Sequence, residues 1–275
     1  MQRLIKILIG VACAAVLAGF GKPHLGDSKP SLMVQGEIFV LTQPGKKPLT
    51  SRDLVGAVFE MREASGQPVT LRIDSVTPSK EQPSVLLHAF SVHDAVSGKW
   101  VPFCDKDAYG RRAGFPVAGN FEGNRFVADR KQWFITCTSG SQGKCILWGY
   151  NPWKKGPHGE DLAPYYQACQ FMVRANYDGR GESFTKNGTE IDMWDHIGIQ
   201  FDDPTMKAPF EAGWGLDGAV CVAKTRWADL LTTEQLHKRE PRLGVGPCDE
   251  KIATAKGALI FNRSRVNVGG TRTHA

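Results

Sequence analysis

Between Val34 and Cys104 apolar and polar residues alternate in short runs separated by glycine-containing turns, the pattern of antiparallel strands. The run "GEIFVL" (36–41) alternates weakly. The stretch "LVGAVFEMREASGQPVTLRIDSV" (54–76) reads as two strands joined at "ASGQP", and "VLLHAFSVHDAVSGKWVPF" (85–103) repeats the device with a turn at "VSGK". Glycine supplies the positive backbone angle that such turns need. Val69, Leu71 and Ile73, and then Leu87, Ala89 and Ser91, recur with period two and mark a buried face. His88 and His93 stand five apart in one strand, on opposite faces, so they read as surface or satisfied strand residues and not as a metal pair.

The chain stays β-like and glycine-rich through "AGFPVAGNFEGNRFVADRKQWFITC" (113–137) and "CILWGYNP" (145–152). The pattern then changes. Leu162, Tyr165, Tyr166, Cys169, Met172, Val173 and Tyr177 recur at three- and four-residue spacings, which predicts a helix over 161–177, capped by Asp161 and ended near Gly179. Period two returns at 190–195, where Glu190, Asp192 and Trp194 alternate with Ile191, Met193 and Asp195. A strand pair follows in "EAGWGLDGAVCVAKTRW" (211–227). A shorter helix is predicted over 232–240, opened by Thr232 or Thr233 with Gln235, and "GALIFNRS" (257–264) reads as a last strand. The expected fold is α+β and β-rich, with mostly antiparallel sheets, one main helix near 161–177 and a shorter one near 232–240.

Two features beyond periodicity change the picture. The chain of 275 residues opens with Arg3 and Lys6, continues with an apolar run from Ile7 to Phe20, and then turns to polar breakers. This is the layout of a secretory signal peptide cut after Ala18 or Gly21. Cys13 has Gly10 three residues before it, where a lipoprotein needs an aliphatic residue, and no apolar window is long enough for a membrane span. The expected organisation is a signal peptide at 1–21, a linker at 22–33, a β-rich unit at 34–104, a second domain at 105–264 and a disordered tail at 265–275. The expected location is outside the cytoplasm, periplasmic or extracellular.

The second feature is the cysteine count. Once Cys13 leaves with the leader, Cys104, Cys137, Cys145, Cys169, Cys221 and Cys248 remain, an even number that in an exported chain reads as a disulfide framework. Spacing alone favours one pair, Cys137 with Cys145, because "CTSGSQGKC" places them across seven small and polar residues. No CxxC or HxxxH pair points to zinc, so no metal or cofactor is expected. Asp105 and Asp107 in "DKDAYGRRAG" resemble the start of a calcium loop but lack its later acidic ligands. The formal charge of +6 falls to +4 without the leader, as the basic count drops from 34 to 32 against 28 acids. The basic residues are scattered, so nucleic acid is not an expected partner.

The segments "CTSGSQGKCILWGYNPW", "YYQACQFMVRANYDGRGESFTKNGTEIDMWDHIG", "GAVCVAKTRW" and "PCDE" together resemble the ADYC domain family of bacterial secreted proteins, over about Cys104 to Ser264 with the upstream β segment. That family is named for an Ala-Asp-Tyr-Cys motif directly after a helix. Here Ala175 and Tyr177 match, whereas Asn176 stands for the acid and Asp178 for the cysteine, and Tyr166 stands where a histidine is more usual. The resemblance carries no assigned biochemical activity.

Three readings of function follow. In the first, the chain is a structural or interaction module of the cell envelope, with Asp178 in a turn and Asp192 and Asp195 bonding backbone amides or Arg174. In the second, Trp148, Tyr150, Trp153, Tyr165 and Tyr166 with Lys154, Lys155 and His158 bind a glycan or peptidoglycan fragment, the rings packing on sugar faces. In the third, Glu190, Asp192 and Asp195 serve a hydrolase, with His196 or His158 as base. Glu190 and Asp192 would share a strand face, while no GxSxG, HExxH or phosphate loop is present. No catalytic residue is singled out, and the expected partner is an envelope glycan or protein.

Overall fold

The computed structural model describes residues 30–62, 66–129, 131–243 and 246–266. The expected signal peptide at 1–21, most of the expected linker at 22–33 and, of the expected tail at 265–275, positions 267–275 lie outside the described residues. The chain divides into two compact units, one formed by the residues up to 120 with 127–144, the other by 121–126 with 145 onward. The first unit therefore continues past position 104, where the sequence pattern placed a boundary, because two later strands complete its sheet.

In the first unit, β1 (Ser31–Gln35), β2 (Ile38–Thr42) and β3 (Leu49–Thr50) form an antiparallel three-stranded sheet. A larger sheet is built from β4 (Val58–Arg62), β5 (Pro68–Pro78), β6 (Leu86–His93), β7 (Trp100–Pro102), β8 (Gly114–Ala118) and β11 (Trp133–Cys137). Its order is β11-β8-β6-β5-β4, with β7 also on β6. Along the chain a short hairpin, β9 (Asn120–Glu122) and β10 (Arg125–Val127), comes between β8 and β11, and its residues 121–126 belong to the second unit. The turn expected at "VSGK" is closed by Asp94, whose carboxylate accepts the N–H groups of Val96 and Ser97. Phe39 is fully buried and centres the core, its ring meeting Phe59, His88, Phe90 and Trp133 edge-on at 5.2 to 6.3 Å. His88 belongs to this interior and His93 is exposed, so the two histidines do face opposite ways.

The second unit is a four-stranded antiparallel sheet in the order β12-β15-β13-β14, from β12 (Glu190–Asp195), β13 (Phe210–Gly215), β14 (Gly218–Val222) and β15 (Ile260–Arg265). Helix α2 (Ala163–Arg174) packs on β13, β14 and β15, and α4 (Glu250–Ala255) on β13 and β14. Adjacent strand residues point to opposite faces. Trp214 stacks on Tyr177 just past α2, whereas a Cβ at Gly213 would lie 2.4 Å from the Cβ of Ala253 in α4. The two helices therefore cover opposite faces, and only glycine at 213 lets α4 approach this closely. Helix α3 (Thr233–Arg239) forms where expected, with Thr232 and Gln235 satisfying each other's backbone amides in a capping box.

Two expectations are corrected. The residues of "CTSGSQGKC" do not form a tight loop closed by Cys137 and Cys145, because 141–147 coil into a helix, α1 (Ser141–Leu147). That places Cys137 at the end of a strand and Cys145 within a helix, and each finds another partner. The bridges are Cys104–Cys137, Cys145–Cys169 and Cys221–Cys248, so the favoured Cys137–Cys145 pair is replaced. The main helix also stops at Arg174, not Tyr177, because Ala175 adopts a left-handed conformation.

Candidate functional site

Helix α2 ends with the motif residues. Ala175 has φ 49° and is the non-glycine residue with positive φ among the described residues. Its N–H reaches the carbonyl of Met172 and that of Asn176 the carbonyl of Phe171, the paired bonds of a Schellman ending. A left-handed Cβ costs about 1 kcal/mol, and alanine carries the smallest one. The side chain of Asn176 is fully buried, and neither its oxygen nor its nitrogen has a hydrogen-bond partner among the described residues.

Tyr177, which matches the family motif, joins a buried network with Glu211 and Arg226. The two charged side chains have no solvent exposure and meet at 2.9 Å. The Arg226 guanidinium donates through Nε and Nη2 to Glu211, through Nη1 to Val173 O and Thr185 Oγ1, and through Nη2 to Met172 O. The charge thus sits at the C-terminal end of α2, where the helix dipole favours a cation. Tyr177 Oη accepts the Arg226 N–H at 2.7 Å and donates to Glu211 Oε1 at 3.1 Å. Burial, and then Glu211, push the Tyr177 phenol well above its ordinary range, so it remains a neutral donor.

Backbone packing completes this corner. The Tyr177 carbonyl accepts the N–H of Ala219 at 2.8 Å, and Gly218, at φ 105°, lies so close that a Cβ there would be 2.5 Å from that carbonyl oxygen. Asp178 is buried. It accepts the Arg180 N–H and pairs with Arg239 Nε, so the residue standing for the motif cysteine anchors α3 to the turn.

The candidate carboxylates are likewise committed. Asp195 Oδ1 accepts the N–H groups of Ile197 and Ile199, and its Oδ2 that of Gln200 and, at 2.6 Å, the hydroxyl of Tyr150. Burial chiefly, with Asp195 beside it, pushes the Tyr150 phenol well up. Asp192 accepts the Asp203 N–H and pairs with Arg263 at 2.7 Å. Glu190 pairs with Arg265 at 2.5 Å. Arg174 does not reach these carboxylates as expected; its guanidinium goes to the Gly181 carbonyl. His196, exposed, pairs with Glu250 at 2.8 Å. Cys169, fully buried, is bridged to Cys145 and offers no thiolate.

The aromatic segment divides. Tyr150 and Tyr166 are fully buried and belong to the core. Trp148, Trp153 and Tyr165 are half-buried and His158 is exposed. Tyr165 stacks on Tyr150 with centroids 6.2 Å apart, and the Trp148 carbonyl accepts the Gln200 side-chain amide at 2.7 Å. The loop after β12 therefore lies beside this segment and carries Phe201, 76% exposed. Arg226, Glu211 and Phe201 were not among the residues that the sequence patterns singled out. Arg226 in "AKTRW" looks like any surface cation, and only a partner 15 positions away reveals its burial. Among the described residues no group of three or more His, Cys, Asp or Glu is arranged to hold a metal, and no helix is long and apolar enough to cross a membrane.

Comparison with known proteins gives one positive finding: the ADYC domain family model matches residues 51–228. No curated protein and no solved structure matches. The matched range includes the α2 helix, the altered motif, Glu211 and Arg226, and covers more than half of the sequence; the chain belongs to the ADYC domain family.

Proposed function

We propose that the chain is an exported module of the bacterial cell envelope that works by contact and not by catalysis. The observation that carries this reading is the engagement of Asp192 and Asp195, whose oxygens are taken up by loop amides, Tyr150 and Arg263. Asp195 accepts from four structural donors, and Asp192 from a loop amide and the Arg263 guanidinium, so both are poorly placed to move a substrate proton. The three bridges support an oxidising compartment, since thiols in the cytoplasm are kept reduced. Fractionation of bacteria expressing the full chain tests the location. The expected result is an oxidised protein outside the cytoplasm whose N-terminus follows Ala18 or Gly21. A cytoplasmic protein with its leader intact and its cysteines reduced contradicts it.

A further inference from the structure

Asn187 is the one asparagine of the chain that is followed by glycine. The pair lies in the turn that leads into β12, with both residues exposed and Gly188 at φ 86°. Asn187 itself does not have positive φ, and a positive angle at the second central residue alone marks a type II turn. The backbone bond that closes the turn, from the Thr189 N–H to the Lys186 carbonyl, is long at 3.4 Å. The ends of the turn are anchored. Lys186 pairs with Asp229 and lies 4.1 Å from the centre of the Trp227 ring, and Thr189 Oγ1 accepts the Trp227 Nε1–H at 2.8 Å. Its middle is not, because among the described residues neither the Asn187 side chain nor the Gly188 N–H makes a hydrogen bond.

The remaining described asparagines lack this combination. Asn120 and Asn124 donate through their amides to Gln132 and to the Gly179 carbonyl, and larger residues follow them. Asn151 precedes a proline, which has no N–H, and Asn176 and Asn262 are fully buried.

We propose that Asn187 is a site of spontaneous self-modification, where the chain turns its own amide into aspartate and isoaspartate. The Gly188 nitrogen, after losing its proton to solvent base, attacks Asn187 Cγ. A carbon–nitrogen bond forms, the Asn187 amide leaves as ammonia, and a five-membered succinimide closes. Water then opens the ring at either carbonyl, which gives aspartate or a chain that runs through the former side chain. Glycine carries no side chain to crowd the attack and lets the peptide rotate toward it. The step needs only water, so it marks the age of the molecule. Its product places a carboxylate beside Lys186, in competition with Asp229.

The test keeps the folded full chain, with its three bridges, in warm neutral buffer for weeks and maps its peptides by mass spectrometry at intervals. The expected result is growing conversion at Asn187 to both products, with the other five described asparagines intact. The rate should rise about tenfold per pH unit, because the attacking nitrogen must first be deprotonated. Anion exchange should resolve a more acidic form that Asn187→Gln does not produce, since a longer side chain closes its ring far more slowly. An unfolded, reduced sample serves as reference. An Asn187 that stays intact in the folded chain while the reference converts overturns the proposal, because the turn then protects the pair. Equal conversion at Asn120 or Asn124 overturns it as well.

Discussion

Arg226 carries a charge with no solvent contact, and such a charge is tolerated only when every donor is used. Its five guanidinium contacts meet that condition, and they join a strand carboxylate, the end of a helix and a loop hydroxyl. Removing one partner leaves the other buried and unpaired. Glu211→Gln or Arg226→Met is therefore expected to cost about 3 kcal/mol in chemical denaturation, the order found when buried pairs are broken. Tyr177→Phe keeps the ring on Trp214 but loses two hydrogen bonds, and a smaller loss of about 1 to 2 kcal/mol is expected.

His88 shows the same logic in a titratable group. Burial is the main cause that lowers its pKa to about 4, although its Nδ1–H donates to the Leu86 carbonyl. The folded ring stays neutral where an unfolded one, with an ordinary value of 6.5, takes up a proton. Stability is thus full above about pH 6.5, falls as the pH drops toward 4, and levels off below that, for a loss of up to about 3 kcal/mol. Denaturation of parent and His88→Leu between pH 7 and 4 checks this, with a flatter profile expected for the variant.

At the scale of elements, the loop between β12 and β13 is held by side chains of the strand that precedes it. Asp195→Ala should free the amides of Ile197, Ile199 and Gln200, and their hydrogen exchange should rise while the amides of α2 keep their protection. Much of this architecture was legible in the sequence. The strands at 58–78 and 86–102, the helix at 163–174 and the capped helix at 233–239 follow from periodicity and caps, which are local signals. The disulfide map was not legible, because proximity along the chain is a poor guide once α1 intervenes between Cys137 and Cys145. The roles of Asp192 and Asp195 were half legible. An Asp followed by turn residues suggests amide bonding, which Asp195 fulfils, but the Arg263 partner of Asp192 comes from a strand 71 positions away. The sharp helix ending at Ala175 carried no local cue, since alanine is an ordinary helix former and the left-handed turn is imposed by its surroundings.

For the whole molecule, the first unit has two sheets and the bridge Cys104–Cys137, and the second has its four-stranded sheet and the bridges Cys145–Cys169 and Cys221–Cys248. Bridges closing loops of 24 to 33 residues lower the entropy of the unfolded chain and stabilise each unit by about 3 kcal/mol per bridge. Reduction is therefore expected to lower the thermal midpoint well beyond the effect of any single core substitution. The family motif fits this picture, since Ala175, Tyr177 and Asp178 close a helix, anchor a buried ion pair and hold a turn. The most direct measurement is mass spectrometry of the purified protein, alkylated before digestion and mapped without reduction for Cys104, Cys137, Cys145, Cys169, Cys221 and Cys248. The expected result is no alkylated cysteine and a peptide pair joining Cys145 to Cys169. A free, reactive thiol at Cys169 would contradict the architectural role of this helix and make a cysteine enzyme the reading to pursue.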